Sequence, residues 1–425
     1  MQPERPHWRK WIEPWYLVYA LMGLIVAGLV PVLIPLVVNE TGNAPLVGVV
    51  VAAVSLGGLT SPLWGSLADR YRTHRLLLAA GMLFASIALA AFAFTTQPAI
   101  WIPLAVIEGL GTASAATIAN LFVVEAHPQP EWDQRIGWLQ TFYGIGQVTG
   151  LLLAGVLSQT DFRIGLWVAA GLGAFAAILG WLTTKTPPAQ PGLEPLLIHP
   201  VKHAESTMIS PQRLFHAPKW VGIGDLGRTL RSPFGVFLGA WLLAFAGPAA
   251  VFSQYPLLMQ KVYGVTPATS SVAFAIIAAL GLTLYTPAGN WSDRRGPGRI
   301  LRISLGLRLI AFVGMFWLVF MPASGATGLL ALIAFAFVVW AWSLMSVSGT
   351  ALAARLSPTG EGQGLGVFNA ITAAAGIIGA LLAGWAAGVW GYGSIVALAL
   401  IGVALGLGLS LLVDKKVLSE KKETK

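Results

Sequence analysis

The chain has no cysteine and few charged residues. Without cysteine among its 425 residues, it can form neither disulfide bonds nor thiolate metal sites. Only 10% of the residues are charged, whereas soluble domains average about 25%. Hydrophobic residues make up 56%, a composition that cannot supply a water-soluble surface. We therefore predict an integral membrane protein.

Motifs for enzymatic chemistry are also missing. There is no GxxxxGKS or GxxxxGKT loop for ATP and no cluster of metal ligands, so we expect no enzyme, no cofactor and no metal. The net charge of +9 comes from basic residues between the apolar runs rather than on one soluble face, which argues against a nucleic-acid partner. The six histidines all fall outside the apolar runs, at positions 7, 74, 127, 199, 203 and 216.

Twelve continuous apolar runs dominate what remains. Each is near the roughly 20 residues that a helix needs to cross about 30 Å of hydrocarbon, whereas a barrel would alternate over stretches of about 10 residues. The predicted spans are 15–38, 45–68, 76–94, 100–124, 136–158, 164–183, 233–260, 268–291, 300–321, 328–354, 364–387 and 391–413. The sequence therefore predicts an all-α fold of twelve transmembrane helices.

A break divides the spans into two groups of six. We predict an N-terminal bundle over residues 1–183, a linker with seven prolines over 184–232, and a C-terminal bundle with a short basic tail over 233–425. Placing both termini and the linker in the cytoplasm leaves only Arg163 and Lys261 in the loops on the other side. We thus expect a monomeric, multi-pass protein of the cell membrane with cytoplasmic termini.

The two groups resemble each other. Gly65, Asp69 and Arg70 recur 224 positions later as Gly289, Asp293 and Arg294. A second match lies at an offset of 229 and pairs Gly137, Gln140, Gly150, Ala154 and Gly155 with Gly366, Asn369, Gly379, Ala383 and Gly384. Six spans separate the copies, so they run in the same direction and the halves repeat about an axis along the membrane normal.

Both copies of the first match lie in short basic loops, GSLADRYRTHR at 65–75 and GNWSDRRGPGR at 289–299. They resemble the signature loop of the major facilitator superfamily. The resemblance covers the whole chain and implies two pseudo-symmetric six-helix bundles that transport by alternating access. It also implies gating residues that latch the cytoplasmic ends in the outward-open state: Gly65, Asp69, Arg70, Gly289, Asp293 and Arg294, with Glu125 as a further partner. The alternative is that these loops only set topology.

The sequence departs from the family pattern at several places. Arg72 stands where the loop usually has glycine. Drug and proton antiporters of the family often carry an arginine in the fourth helix, where this chain has Ala105. In the fifth helix, Leu151 and Ala154 replace a usual proline and glycine. Precedent for proton coupling is therefore missing from these motifs.

Two ionisable residues lie deep within predicted spans. Glu108 is the only acid well inside one, and we interpret it as a proton-coupling carboxyl or a cation contact. The alternative is a neutral, hydrogen-bonded packing residue. Arg308 is a candidate intramembrane charge in the ninth span, with substrate contact and structural pairing both open.

Several neutral polar and aromatic side chains are candidates for the lining of a central cavity. Those in the fifth and tenth spans are chosen by helical spacing, those in the eleventh by equivalence in the repeat, and those in the seventh because they follow the Gly247 and Pro248 breaker. Each of them is also of a type that packs and hydrogen-bonds between membrane helices. These candidates are Gln140, Tyr143, Gln147, Gln254, Tyr255, Trp342, Ser346, Asn369 and Thr372.

The leading hypothesis is a secondary active transporter that moves a small amphiphilic or weakly charged solute, with protons as a possible second partner. Two alternatives stay open. One is a non-transporting membrane assembly or pigment-handling protein of the same fold, which the lack of membrane-embedded histidine disfavours. The other is a lipid translocase, for which Arg302 and Arg308 are basic residues near headgroups.

Overall fold

The computed structural model describes residues 12–127, 132–184, 232–357 and 361–423. In these ranges the chain forms helical rods and no strand, and we number the rods α1 to α12. The first six are α1 Tyr16–Asn39, α2 Ala44–Ser55 continuing through Leu56–Thr60 and Ser61–Tyr71, α3 His74–Phe94, α4 Pro98–Ala126, α5 Trp132–Leu157 and α6 Phe162–Thr183. The last six are α7 Pro233–Ser253 continuing as Tyr255–Tyr263, α8 Pro267–Leu282 continuing as Tyr285–Arg295, α9 Pro297–Val319, α10 Gly325–Leu356, α11 Glu361–Trp390 and α12 Gly393–Glu423.

The all-α membrane fold is confirmed, and the count of twelve crossings is met in part. Among the described residues, nine helices are long and apolar enough to span a membrane, or ten if the bent α8 is one span. The other two rods are α2, whose apolar part Ala44–Thr60 is shorter, and α5. In α5 the chain places Arg135, Gln140 and Gln147 within the rod, which lowers its hydropathy.

Local sequence explains where several rods begin. The Asn43 side chain accepts a hydrogen bond from the Leu46 backbone N–H at 3.1 Å, at the start of α2. Ser232, Thr266 and Ser324 cap α7, α8 and α10 in the same way. A cap satisfies an N–H that the helix itself leaves free, which favours sharp starts and short connections.

Four rods are irregular near their middle or end. The segment Gly23–Leu29 of α1 is π-helical, and Leu56–Thr60 of α2 is a 3₁₀ turn. A break at Gln254 divides α7, and α8 bends by 46° after Leu282. Non-helical backbone at membrane depth is tolerated where it is buried in protein or lines a cavity, so these breaks direct attention to the centre of the bundle.

Ion pairs identify the two faces of the bundle. On one face, Arg163 at the start of α6 pairs with Glu40 at 2.9 Å and donates to the carbonyl oxygens of Ala93 and Thr95. On the other, which we name the terminal face because α1 begins there and α12 ends there, Glu13 pairs with His127 at 2.6 Å and Arg135 at 3.2 Å. Helix ends from different rods are thereby tied together at both faces.

The two halves, α1 to α6 and α7 to α12, are in direct contact near the face opposite the termini. A β-carbon added to Gly384 of α11 would lie 2.8 Å from the Cα of Gly48 in α2, so the two backbones meet without side chains between them. Nearer that face, the Tyr392 hydroxyl donates to the Asn39 side-chain oxygen at 3.0 Å. The structure is therefore closed between the halves at the opposite face.

The duplicated loops end their rods in related ways. Arg72 ends α2 in the left-handed conformation, with φ of 52° and ψ of 39°. Gly296, which follows it by the same offset of 224, ends α8 with a positive φ of 83°. Only glycine adopts positive φ without steric cost, so the first copy is strained where the second is not. The predicted linker over 184–232 lies outside the described residues except for its two ends.

Candidate functional site

A cavity lies at the centre of the bundle, between the halves. Its volume is about 460 Å³, and residues from α1, α2 and α5 and from α7 to α11 line it. This size is in the range of small-molecule sites. The closing contact of Gly48 with Gly384 lies between the cavity and the face opposite the termini.

The first half provides an aliphatic wall. It contains one amide, Gln147 of α5, and one hydroxyl, Ser55 of α2, and no aromatic side chain. The lining residues of this half are Val26, Val30, Pro31, Ile34, Val51, Val54, Ser55 and Gln147. Apolar surfaces of this kind exclude water from a bound solute but offer it little orientation.

The second half provides an aromatic and polar wall. The Phe245 and Trp342 rings are 5.4 Å apart, and Phe252 and Phe274 are 6.0 Å apart. Behind Trp342 lies Trp241 at 6.3 Å, whose indole N–H donates to the Thr372 hydroxyl at 2.8 Å. The aromatic lining residues are Phe245, Phe252, Phe274, Tyr285 and Trp342.

The irregular rods meet the cavity at their breaks. Val26 lies in the π-helical segment of α1, and Ser55 directly precedes the 3₁₀ turn of α2. Ser253 directly precedes the break of α7, while Leu282 and Tyr285 flank the bend of α8. Four separate departures from helical geometry thus converge on one cavity, which is typical of a site where membrane helices bind solute and move.

Arg308 of α9 lies in the cavity wall. Its side chain is 1% exposed, and its Nε donates to the Val338 carbonyl oxygen at 3.2 Å. One Nη contacts the Met345 sulfur at 3.3 Å, and the Cζ is 5.7 Å from the centre of the Trp342 ring. Within the described part of the chain, no carboxylate pairs with this guanidinium. The cation therefore faces the cavity with α10 behind it.

Glu108 of α4 is equally buried, at 1% exposure, but it does not line the cavity. Both of its carboxyl oxygens lack a hydrogen-bond partner among the described residues. Its neighbour Gly109 is in direct contact with α2, since a β-carbon there would lie 3.2 Å from the Cα of Val54. Because Val54 lines the cavity, Glu108 lies one layer behind the wall.

The structure brings some of the predicted cavity residues together and separates others. Gln147 and Trp342 line the cavity, as does Arg308. Three others form contacts within their own half: Tyr143 packs on Tyr19 with the rings 5.2 Å apart, Tyr255 donates to the Ser270 carbonyl oxygen at 2.9 Å, and Thr372 holds Trp241.

The remaining candidates lie apart from the cavity lining. Gln140 and Asn369 are exposed, and Gln140 donates to the Tyr19 hydroxyl at 3.5 Å. The Ser346 hydroxyl donates to the Ser343 carbonyl oxygen at 3.2 Å. Gln254, at the break of α7, is fully buried, and its amide has no hydrogen-bond partner among the described residues.

The gating candidates are described only in part. The side chains of Asp69, Arg70 and Glu125 lie outside the described residues, while Gly65 is buried. Asp293 is 3.9 Å from Arg355 of α10, a contact within the second half whose side chains are 80% and 57% exposed. Arg294 is exposed, and Gly289 has open space around it. The latch was predicted for the outward-open state, and this structure is closed at the face opposite the termini.

Sequence reasoning missed most of the wall. Val30, Ile34, Phe245 and Phe274 are apolar residues within apolar runs, and no residue type or spacing distinguishes a cavity-facing phenylalanine from a lipid-facing one. The sequence offered one indirect indication. Gly247 and Pro248 disfavour a regular helix in the middle of α7, and Pro248 lines the cavity.

Comparison with known proteins identifies the family. Residues 15–347, more than half of the chain, match the model of the Major Facilitator Superfamily. The chain belongs to this family, whose members are transporters and not enzymes. The resemblance seen in the two basic loops is thereby confirmed.

Relatives and a solved structure agree with this assignment. The chain is 25% identical to "Probable anion transporter 4, chloroplastic" of Arabidopsis thaliana, over 66% of this chain and 54% of that protein. It is 26% identical to "Multidrug resistance protein MdtH" of Photorhabdus laumondii, over 54% of this chain and 51% of that protein. The matches thus span about half the length of these relatives. A crystal structure of the nucleoside transporter NupG shares the fold, with a TM-score of 0.74, 13% identity and coverage of 95% of this chain and 98% of that one.

Proposed function

We propose that this protein is a secondary transporter that moves a small amphiphilic solute through the membrane by alternating access. The observation that supports this most strongly is one cavity walled by both halves, with the halves in close contact between the cavity and the face opposite the termini. A solute held between two bodies can leave by either face if the bodies rock against each other.

The basic residues predict a direction for the state described here. If the terminal face is cytoplasmic, the contact of Gly48 with Gly384 closes the outer side and the structure is inward-facing. Rocking would separate α2 from α11 and bring together the terminal-face ends of α2 and α8. Asp69, Arg70, Asp293 and Arg294 lie at those ends and would form the latch of the other state.

The walls favour a solute with both apolar and polar parts. Aliphatic and aromatic side chains dominate the lining, and the polar groups include Ser55, Gln147, Arg308 and Ser343. The names of the relatives mention anions and multiple drugs, and that of the structural neighbour mentions nucleosides. These names differ in solute class, so the solute is inferred from the cavity rather than carried over.

Glu108 is proposed as the proton-coupling residue. A buried carboxyl without hydrogen-bond partners is stable when neutral and unstable when charged, so its protonation depends on access to water. Its neighbour in the chain, Gly109, packs against the part of α2 that includes Val54 and the 3₁₀ turn. Loss of its proton in one state would therefore act on a helix that both lines the cavity and closes the opposite face.

Cysteine accessibility tests alternating access directly, because the natural chain has no cysteine to remove. Single variants Ala249→Cys and Val54→Cys place thiols in the two cavity walls. A charged, membrane-impermeant methanethiosulfonate reagent is applied to each side of oriented vesicles. Ile310→Cys is the control, since Ile310 is 71% exposed near the middle of the apolar helix α9 and lies outside the cavity lining, so we expect it to face lipid.

We expect both cavity cysteines to react quickly from the terminal face and slowly, but measurably, from the opposite face. The control cysteine should react from neither side. Reaction from one face only, at every pH and with every solute tried, would mean a fixed cavity, as in a non-transporting membrane protein of this fold.

A further inference from the structure

The buried guanidinium of Arg308 has no carboxylate partner among the described residues. A guanidinium has five N–H donors, and among the described residues this one donates to two acceptors, a carbonyl oxygen and a weakly accepting sulfur. A buried cation without an anion is unfavourable, and such cations are usually paired. The remaining donors of Arg308 are free for a ligand, because the residue lines the cavity.

No acid whose side chain the structure describes pairs with Arg308. Glu13, Glu40 and Asp293 pair with other bases near the ends of their rods, and Asp161 caps the start of α6. Glu108 accepts no hydrogen bond and lies outside the cavity lining. The missing anion must therefore come from another source, and the cavity is the open route to Arg308.

The surroundings of Arg308 favour a particular kind of anion. Val338, Trp342 and Met345 lie on one face of α10 at helical spacing, and they hold the guanidinium from one side. Trp342 also faces Phe245 across the second-half wall. Arginine binds planar or tetrahedral oxyanions through several N–H groups at once, and the adjacent rings accept an apolar body.

We propose that Arg308 binds the acidic group of the transported solute, and that the solute is an amphiphilic organic anion with one carboxylate, sulfonate or similar group on an aromatic or other apolar body. This proposal rests on the transport function proposed above and specifies its solute class. Arg308 is the single cation of the described cavity lining, so a solute with several negative charges is disfavoured. Cationic solutes are repelled by the same residue.

Matched probes that differ only in charge test this assignment. The thermal unfolding of the purified full chain in detergent is measured with increasing 4-phenylbutyrate, 4-phenylbutyramide or 4-phenylbutylamine, because a ligand of the folded state raises its apparent stability. The same titrations are made with Arg308→Gln and Arg308→Lys. Arg302→Gln on the same helix is the matched control for loss of one arginine.

We expect the wild type to bind the acid most tightly, the amide more weakly and the amine least. Arg308→Gln should weaken binding of the acid by roughly tenfold to a hundredfold, as expected for a charge-assisted hydrogen bond, and leave binding of the amide unchanged. Arg308→Lys should retain part of the preference, and Arg302→Gln all of it.

The order of affinities for the acid, the amide and the amine is measured on the wild type, so it tests the proposal even if Arg308→Gln folds poorly. Equal binding of acid and amide, preference for the amine, or binding of none of the three would overturn anion recognition. Each of these results is compatible with cavity cysteines that react from both faces, which would keep the transporter and reject only its solute class. Failure of that accessibility experiment would reject the transport function itself.

Discussion

The two halves of the protein share a backbone plan but present different walls to the cavity. The first half offers aliphatic side chains, and its deep charge, Glu108, lies behind the wall. The second half offers five aromatic residues, and its deep charge, Arg308, lies in the wall. Duplication accounts for the shared architecture. Under the two proposals above, divergence of the walls separates two tasks, with coupling in the first half and recognition in the second.

The strongest test of this division compares the two deep charges. Glu108→Gln should abolish proton-driven accumulation of a labelled aromatic acid in proteoliposomes, because an amide cannot exchange the coupling proton. Counterflow exchange should persist, because it needs only the rocking motion. Arg308→Gln should instead weaken both activities through loss of affinity.

Uptake is measured across a range of external pH with both variants. Under this account the exchange catalysed by Glu108→Gln is insensitive to pH, while Arg308→Gln retains the wild-type pH profile at raised solute concentration. A wild-type pH profile in Glu108→Gln would place the coupling site elsewhere.

Substitutions on either side of the contact between Gly48 and Gly384 should have similar effects on the balance between the two states. Gly48→Leu and Gly384→Leu each place a side chain where the two backbones meet. Overpacking costs about 1 to 3 kcal/mol, which shifts the balance between the two states by up to roughly a hundredfold towards the state open at that face. Accessibility of Ala249→Cys from that face should rise by the same factor.

Gly314→Leu is the matched control, because Gly314 has open space around it. The two wedge variants should agree within about threefold, since they disturb one contact from its two sides. A large effect from one and none from the other would show that this contact does not close the cavity.

Substitutions in the two cavity walls should have smaller effects, on the affinity for 4-phenylbutyrate. Trp342→Leu removes a ring beside Arg308 and should weaken binding of 4-phenylbutyrate by about tenfold, because aromatic pairs contribute beyond their buried area. Val30→Ala in the opposite wall should weaken it by about threefold at most. Ligand-induced shifts in unfolding temperature measure both, and equal losses would contradict a recognition role centred on the second half.

Variants in the duplicated loops should change the stability of the fold and leave solute binding unchanged. Gly296→Ala should lower the free energy of unfolding by about 1 to 3 kcal/mol, because its backbone conformation is close to glycine-only. Arg72→Gly should raise it by about 0.5 kcal/mol, as relief of left-handed strain slightly exceeds the added freedom of the unfolded chain. Unfolding in mixed micelles with increasing sodium dodecyl sulfate measures both, and destabilisation by Arg72→Gly would show that its side chain outweighs its backbone strain.

Hydrophobic run length predicted the fold well and the site only in part. The predicted spans 76–94 and 164–183 agree closely with His74–Phe94 and Phe162–Thr183, since the length of an apolar run is set by the membrane. The π-helical segment of α1 was not foreseen, because its sequence is as apolar as that of a regular helix. The bend of α8 was not foreseen either, although Pro287 lies just beyond it. Rotation of each rod about its axis decides which side chains face the cavity, and it follows from packing between rods.

Arg308 illustrates this limit. Its charge marked it as unusual from the sequence, but the sequence left substrate contact and structural pairing both open. The structure brings it to the cavity because its long side chain reaches past α10 at Val338 and Trp342. Gln147 and Trp342 were found by helical spacing, whereas Gln140, found by the same spacing, and Asn369, its equivalent in the repeat, are exposed.

The most direct test of the central claim is a pair of distances across the two halves, measured by double electron–electron resonance. Spin labels at Thr41→Cys and Ala323→Cys report on the opposite face, and labels at Tyr71→Cys and Arg295→Cys report on the terminal face, all at exposed positions. Alternating access predicts that each change of pH or addition of 4-phenylbutyrate that lengthens one distance shortens the other, with matching populations. Two distances that stay fixed, or that lengthen together, would contradict it.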